Sequence, residues 1–396
     1  MKTLLLCFVV ILLCASASFG VINVHSDGSD GVFNPTASVE VDLSQAVTGT
    51  WDQVGNGSGV YDPDKWAVVF KYSSVNIPSG VAVTFKNHPS GAPVVWLVQG
   101  NAAIAGTVNL DGKSTYSVGG RMREPGSGGF RGGSKSDTSQ PAQQGGAGLG
   151  PGGGMASGAC GSYGSSGGAG SGPTYGNAGV VPLLGGSGGA AYLNTNAAAG
   201  GGGGGGFLLA AGDTIALGGT VRACGFAGVV GAGSGGGIRL IADNLLGGGT
   251  LLATGGASGR IRVEVNQGDW AFISSPVFAY GPPGAVPQIW PPADGPRVRI
   301  VSLGGLAVPG DPRAGVTFPT TDVYLGGSGG AYSLVIQADN VPLTWHVKAR
   351  ATPINGSPAT LVDASYVSGD ATLSTWQADL TLGQYYTAIQ VRASLN

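Results

Sequence analysis

Apolar and polar residues alternate over short stretches along most of the chain, and no stretch past residue 20 repeats convincingly at a helical spacing. Short alternating segments at 21–24 and 37–43 lead into a dense region. There Trp66 opens the run Ala67-Val68-Val69-Phe70, followed by Val75 and Ile77, then Val81, Val83 and Phe85, then Val94–Val98, then Ile104, Val108 and Leu110. A period of two, broken by Pro-Ser-Gly turns, predicts half-buried β-strands rather than helices. The pattern returns over 207–265, with Phe207-Leu208-Leu209, Thr214-Ile215-Ala216-Leu217 and Ile261-Arg262-Val263-Glu264-Val265.

One motif recurs inside this pattern. Residues 106–112, 219–225 and 249–255 each read G-T-[V/L]-x-[L/A]-x-G, and each follows an apolar run, at 94–98, 207–211 and 238–242. A unit of strand, turn, strand, turn with glycine at fixed corners predicts a solenoid. Gly106 and Thr107, Gly219 and Thr220, and Gly249 and Thr250 are then its structural corners. Asn101, Asp213 and Asp243 fall at equivalent turn sites and predict a polar ladder capping backbone groups. Three threonine steps are few for an ice- or mineral-binding face.

Between the first two copies lies a different composition. Of the 90 residues at 117–206, 34 are glycine. A flexible linker is one reading. The other is an ordered insertion of extended chains whose missing side chains let backbones approach closely. Phe130, Tyr163, Tyr175, Tyr192 and the apolar residues at 180–184 favour order, since a linker has no use for them. Glycine numbers 77 of 396 residues and charged residues are only 10%, yet 42% of the chain is apolar, enough to bury a core. A net charge of −2 shows no footprint for nucleic acid or for a membrane surface.

Six prolines between Pro282 and Pro296 predict a stiff connector. Beyond it, seven strands are expected at 298–303, 316–325, 332–338, 343–351, 360–367, 373–382 and 387–395, the number and size of an Ig-like β-sandwich with Trp345 and Trp376 in its core.

Lys2, the apolar run 4–13 and Ala15-Ser16-Ala17 predict an export signal over 1–17, with the mature chain starting near Ser18. The run is too short to span a bilayer, and no later stretch reads as a membrane helix. Removal of the signal takes Cys7 and Cys14 and leaves Cys160 and Cys224, either a disulfide stapling the Gly-rich segment to the repeats or two thiols. Asn56 and Asn355 begin sequons that matter only in a eukaryotic host.

Candidate chemistry is sparse. Asp27 and Asp30, spaced by glycine and serine, offer oxygen ligands to Ca²⁺, although Asx turns explain them as well. His25, His88 and His346 lie far apart, and no His/Cys set has metal-site spacing. The glycine run 200–206 matches a nucleotide fingerprint by composition alone. An enzyme acting on polysaccharide would need paired acids. Glu40, Glu124 and Glu264 are the only glutamates, so Asp213 and Asp243 are the catalytic candidates, with Arg222, Arg239 and Arg262 able to share their face.

Several stretches together resemble a family of exported bacterial Gly-rich proteins. They include Trp66-Ala-Val-Val-Phe-Lys-Tyr, Val83-Thr-Phe-Lys-Asn-His-Pro, Pro93-Val-Val-Trp-Leu-Val, Gly128-Gly-Phe-Arg-Gly-Gly, Pro182-Leu-Leu-Gly-Gly-Ser-Gly-Gly and Gly259-Arg-Ile-Arg-Val-Glu. The similarity covers nearly the whole mature chain and implies a secreted, parallel β-helix-like body with Gly-rich loops. No catalytic residues come with it. The expectation is an all-β protein: a parallel β-helix-like solenoid over 18–281 with a Gly-rich insertion at 117–206, a linker at 282–296, and an Ig-like β-sandwich over 297–396. The expected role is structural or adhesive, secreted or at the cell surface, with an extracellular glycan or a second copy as partner. A polysaccharide lyase or hydrolase is the alternative.

Overall fold

The structure is a computed structural model. It describes residues 22–395 apart from 56, 117–120, 136–144, 193–197, 228–229, 270, 313–320, 355–358 and 385–386. The expected export signal and the sequon residues Asn56 and Asn355 lie outside the described residues.

The protein is all-β, with large sheets. In a twelve-stranded sheet, Val94–Val98, Gly206–Ala211, Gly237–Leu246 and Arg260–Gly268 lie side by side and parallel. A second sheet of six strands is ordered Ile273–Ser275, Thr250–Leu252, Thr220–Arg222, Thr107–Asn109, Ala82–Lys86, Val39–Asp42, and is parallel throughout. After Ala67–Tyr72, Val94–Val98 and Gly206–Ala211 the chain adds a second strand to the large sheet and then one to the smaller sheet; after Val94–Val98 these are Ala102–Ile104 and Thr107–Asn109. Gly237–Leu246 and Arg260–Gly268 instead each run through as one long strand before the smaller sheet is reached.

The repeated motif sets the register. Thr107 pairs with Thr220 and Thr220 with Thr250. In the large sheet Val94 pairs with Phe207 and Phe207 with Ile238. Corner glycines stack as well: the Thr220 N–H donates to the Gly106 carbonyl at 2.9 Å, and the Thr250 N–H to the Gly219 carbonyl at 2.8 Å. A Cβ at Gly219 would collide with the Gly106 carbonyl, which is why this corner takes glycine. Period-two side chains then fill a single core between the sheets, where Trp96, Phe70, Phe207, Ile238, Val221 and Leu251 are fully buried. The opposite face of the large sheet is covered by Ile22 and Val24 of the first described segment and by Ile289 of the Pro-rich segment. That segment packs on the sheet, with the Ala285 carbonyl accepting the Asn23 N–H at 3.0 Å.

The described part of the Gly-rich region is ordered backbone. The N–H groups of Gly200, Gly203 and Gly206 donate to the carbonyls of Gly133, Phe130 and Ser127, those of Gly201 and Gly204 to Gly231 and Ser234, and that of Gly205 to Leu110, all at 2.7–2.9 Å. Successive residues therefore address three neighbours in rotation. That is the hydrogen-bonding period of an extended helix with three residues per turn, not of a pleated strand. Each segment is surrounded by others of its kind, and the block reaches past residue 206 to include 231–236. Arg350, from beyond the Pro-rich segment, is buried and donates to the carbonyls of Gly150 and Gly148 at 3.1 and 3.2 Å. Burial pushes its guanidinium down to about 10, and nearby Arg392 adds to the shift.

The C-terminal residues form a five-stranded and a three-stranded antiparallel sheet that contribute to one apolar cluster around Leu334, Ile336, Val347, Ala349, Trp376 and Leu380. Two expected strands differ. The stretch 360–367 is two strands, Thr360–Asp363 and Ser365–Gly369, which belong to different sheets. Of the strand expected at 316–325, residues 316–320 lie outside the described residues and 321–325 form no strand.

Cys160 and Cys224 are free thiols, so of the two alternatives the staple is not formed. Each sulfur is taken up where it stands. The Cys224 Sγ lies 3.4 Å from the Thr254 hydroxyl, in the ladder that also holds Asp111, and Cys160 packs against the backbone of Gly256. Backbone hydrogen bonds fix the Gly-rich block instead. Thiol titration of unfolded, unreduced residues 18–396 is expected to give two reactive thiols per chain, and none would show the bridge to exist.

Candidate functional site

The residues with chemistry gather on the outer face of the large sheet. On Gly237–Leu246 and Arg260–Gly268, the alternate residues that do not enter the core are Arg239, Ile241 and Asp243, and Arg262, Glu264 and Asn266. Arg239 pairs in register with Arg262, and Ile241 with Glu264. Two guanidinium groups side by side need an anion between them, and Glu264 supplies it. Arg239 Nε donates to Glu264 Oε1 at 3.0 Å and its Nη2 to Oε2 at 3.2 Å, while Arg262 Nε donates to Oε1 at 3.1 Å. Arg239 is only 2% exposed. Burial lowers its pKa, Glu264 opposes that shift, and Arg262 adds to it.

Asp213, in the bend before Thr214–Leu217, does lie beside Asp243 of the neighbouring strand: the Asp213 carbonyl accepts the N–H groups of Asp243 and Asn244 at 2.9 and 3.1 Å. Their side chains part company. The Asp243 carboxylate is buried and accepts from Asn266 Nδ2 at 2.8 Å, and the Asp213 carboxylate is exposed and accepts from its neighbour Thr214 at 3.1 Å. Asn101 stands one step away from the site expected for it, and its Oδ1 accepts the Thr214 N–H at 3.0 Å. Arg222 does not join Arg239 and Arg262, because it lies in the six-stranded sheet, paired with Asp111 at 2.5 Å. Asp111 raises its pKa. The Glu264 carboxylate is taken up by both arginines, although Arg239 Nη1 is buried without a hydrogen-bond partner, and a glutamate held by two arginines is poorly placed to donate a proton.

Asp27 and Asp30 cap turns and meet Lys71. Asp27 Oδ1 accepts the Ser29 N–H at 3.0 Å and its Oδ2 the Lys71 ammonium at 3.1 Å. Asp30 accepts the backbone N–H groups of Lys71 and Gly57 at 2.6 and 3.1 Å. Partial burial raises the Asp27 pKa, but the Ser29 and Lys71 hydrogen bonds outweigh it and hold the group below its ordinary value. Among the described residues no group of three or more His, Cys, Asp or Glu side chains is placed to hold a metal ion. The histidines stay apart: His88 is buried and stacked on Tyr61 with ring centroids 4.0 Å apart, while His25 and His346 are exposed.

The sequence reading missed an aromatic group. Trp51, in the turn before the Val60–Asp62 strand, and Trp290, in the Pro-rich segment, have ring centroids 5.8 Å apart, and His25 meets Trp51 edge-on at 5.7 Å. Both tryptophans are half-buried against the outer-face cluster. Asp62 fixes the turn by accepting the Trp51 N–H at 2.9 Å and the Asp64 N–H at 2.9 Å. A signal was present: both tryptophans stand in turn-rich sequence, outside any alternating run, where a core position is not predicted. A separate cavity of about 80 Å³, lined by Glu124, Phe130, Arg131 and Gln390 among others, is room for a few waters rather than for a sugar ring.

No helix among the described residues is long and apolar enough to cross a membrane. The chain matches no protein-family model, no curated protein and no solved structure.

Proposed function

We propose that this is an exported structural or adhesive protein, secreted or held at the cell surface, which contacts extracellular glycan through the outer face of its large sheet. In this reading the two parallel sheets are the walls of a β-solenoid, the Gly-rich block is an insertion that stiffens it, and the C-terminal sheets form an Ig-like β-sandwich. The exported bacterial Gly-rich proteins that the sequence resembles are its relatives.

The observation that carries the reading is the contrast on the outer face. Arg239 and Arg262 both pair with Glu264, which leaves that carboxylate no free oxygen for a ligand, whereas the Trp51–Trp290 pair is left partly open to solvent. Half-buried aromatic rings are suited to ligand contact, and a buried, paired ion network is suited to holding a scaffold.

The test is a glycan array probed with residues 18–396, with reducing-sugar and unsaturated-product release followed on every hit. Binding without product is expected. Product release lost in Asp213→Asn or Asp243→Asn would replace this reading with a polysaccharide-active enzyme. An array without hits would remove the glycan and direct attention to self-assembly.

A further inference from the structure

The surroundings of Trp51 and Trp290 are acidic. Lys71 Nζ donates to Asp27 at 3.1 Å and to the backbone carbonyl of Asp52 at 2.7 Å, so both residues flank the same ammonium. Asp30 accepts the Lys71 N–H, and Asp62 accepts the Trp51 N–H. Four carboxylates thus stand in direct contact with Lys71 or Trp51, or next to that contact, against one ammonium. Asp30 and Asp62 are occupied by backbone N–H groups and Asp27 by Lys71. Asp52 is exposed and adjoins Trp51 in sequence; its carboxyl accepts from the Thr50 hydroxyl and feels the charge of Lys71, whose direct ion pair is with Asp27.

We propose that the Trp51–Trp290 pair, with Asp52 and Asp27 beside it, is a binding site for amine-bearing sugar chains, that is, oligomers of protonated hexosamine. The proposal rests on the glycan-contact reading above and narrows its ligand class. An indole face attracts a cation through its ring quadrupole and covers the apolar C–H face of a sugar ring. A carboxylate beside the ring makes a charge-assisted hydrogen bond to an ammonium and repels an acidic sugar. A neutral sugar would satisfy the rings and leave Asp52 unused. The Thr50 hydroxyl, hydrogen-bonded to Asp52, lowers the pKa of that carboxyl, and the charge of Lys71 adds to the shift. His25, edge-on to Trp51, closes one side of the pair.

The test is a tryptophan-fluorescence titration of residues 18–396 with three soluble hexamers, of β-1,4-glucosamine, β-1,4-N-acetylglucosamine and β-1,4-glucose. The glucosamine hexamer is expected to bind at least 10-fold more tightly than either other hexamer, with affinity falling several-fold between 50 and 500 mM salt. Asp52→Asn, at an exposed position, is expected to weaken binding about 5-fold and leave the melting temperature unchanged. Trp290→Ala is expected to abolish binding, and Trp290→Phe, which retains a packed ring, to restore part of it if the loss is a contact loss rather than misfolding. Equal affinity for all three hexamers would overturn the cationic ligand class while leaving the glycan reading in place. Binding that Asp52→Asn and Trp290→Phe both leave at the wild-type value would place the site elsewhere and overturn the proposal. Binding to none of the three would also overturn it, and the glycan array would then decide separately whether the broader reading stands.

Discussion

Gly203→Ala is expected to destabilise the protein by about 3 kcal/mol or more, the upper range for overpacking, because the nearest obstructing atoms, of Gly186 and Ser187, are all backbone. The added methyl would lie inside the van der Waals radius of the Gly186 carbonyl. Gly203 also donates to the Phe130 carbonyl, and the Gly186 carbonyl accepts the Phe130 N–H, so neither segment can retreat without breaking a hydrogen bond to a third. Gly218→Ala is the matched control. Gly218 is exposed, its backbone lies outside the left-handed region, and no atom stands within 4 Å of the site of the new Cβ. Its effect is expected to stay within about 0.5 kcal/mol, as for other surface positions. Thermal unfolding of the two variants side by side reads the difference. A Gly203→Ala protein that melts with the wild type would show that the segments are not in backbone contact.

Glu264→Gln is expected to cost about 3–5 kcal/mol, the range for breaking a buried ion pair by removing one partner. The neutral amide would leave Arg239 and Arg262 adjacent, one of them almost wholly buried, with no anion between them. Replacing Arg239 and Glu264 together, as Arg239→Met with Glu264→Leu, is expected to recover most of the loss, since two apolar side chains need no counter-charge and Arg262 can turn its head to solvent. Urea unfolding of the single and double variants gives the coupling. A single variant as stable as the wild type would mean that the triad is not formed as described. A double variant that keeps glycan binding would confirm that the ions serve the scaffold and not the ligand.

The parallel ladders were legible because the motif repeats residue for residue. Thr107, Thr220 and Thr250 could be aligned on paper, and they pair in that alignment. The alternation of Val81, Val83 and Phe85 likewise placed the core face of a strand. Asn101 was misplaced by one step because it was matched by residue type and not by its distance from Thr107. The split of 360–367 left no mark, since Ala364 is compatible with either sheet and only its N–H, donated to the Val347 carbonyl, shows where the chain changes sides. The threefold packing of the Gly-rich block was half visible. Glycine every few residues says that backbones approach, but which segment each N–H addresses depends on neighbours up to about a hundred residues away. The Trp51–Trp290 pair lies beyond pattern reading for the same reason, being made of two turns that meet only once the sheet between them has formed.

The position of the Gly-rich insertion has a kinetic side. Thr250 lies 30 residues beyond Thr220, but Thr220 lies 113 residues beyond Thr107, although each pair forms the same in-register step. Closing the longer loop adds only about 1 kcal/mol of entropy if it behaves as free chain. The larger obstacle is that the strands at 94–98 and 206–211 cannot dock until the glycine segments between them have found their own partners, since Gly206 is at once the first residue of a strand and a donor to Ser127. Such high contact order slows folding. The circuits on either side of the insertion have partners close in sequence and can each assemble early, so the step that joins the two halves across the insertion is the slow one.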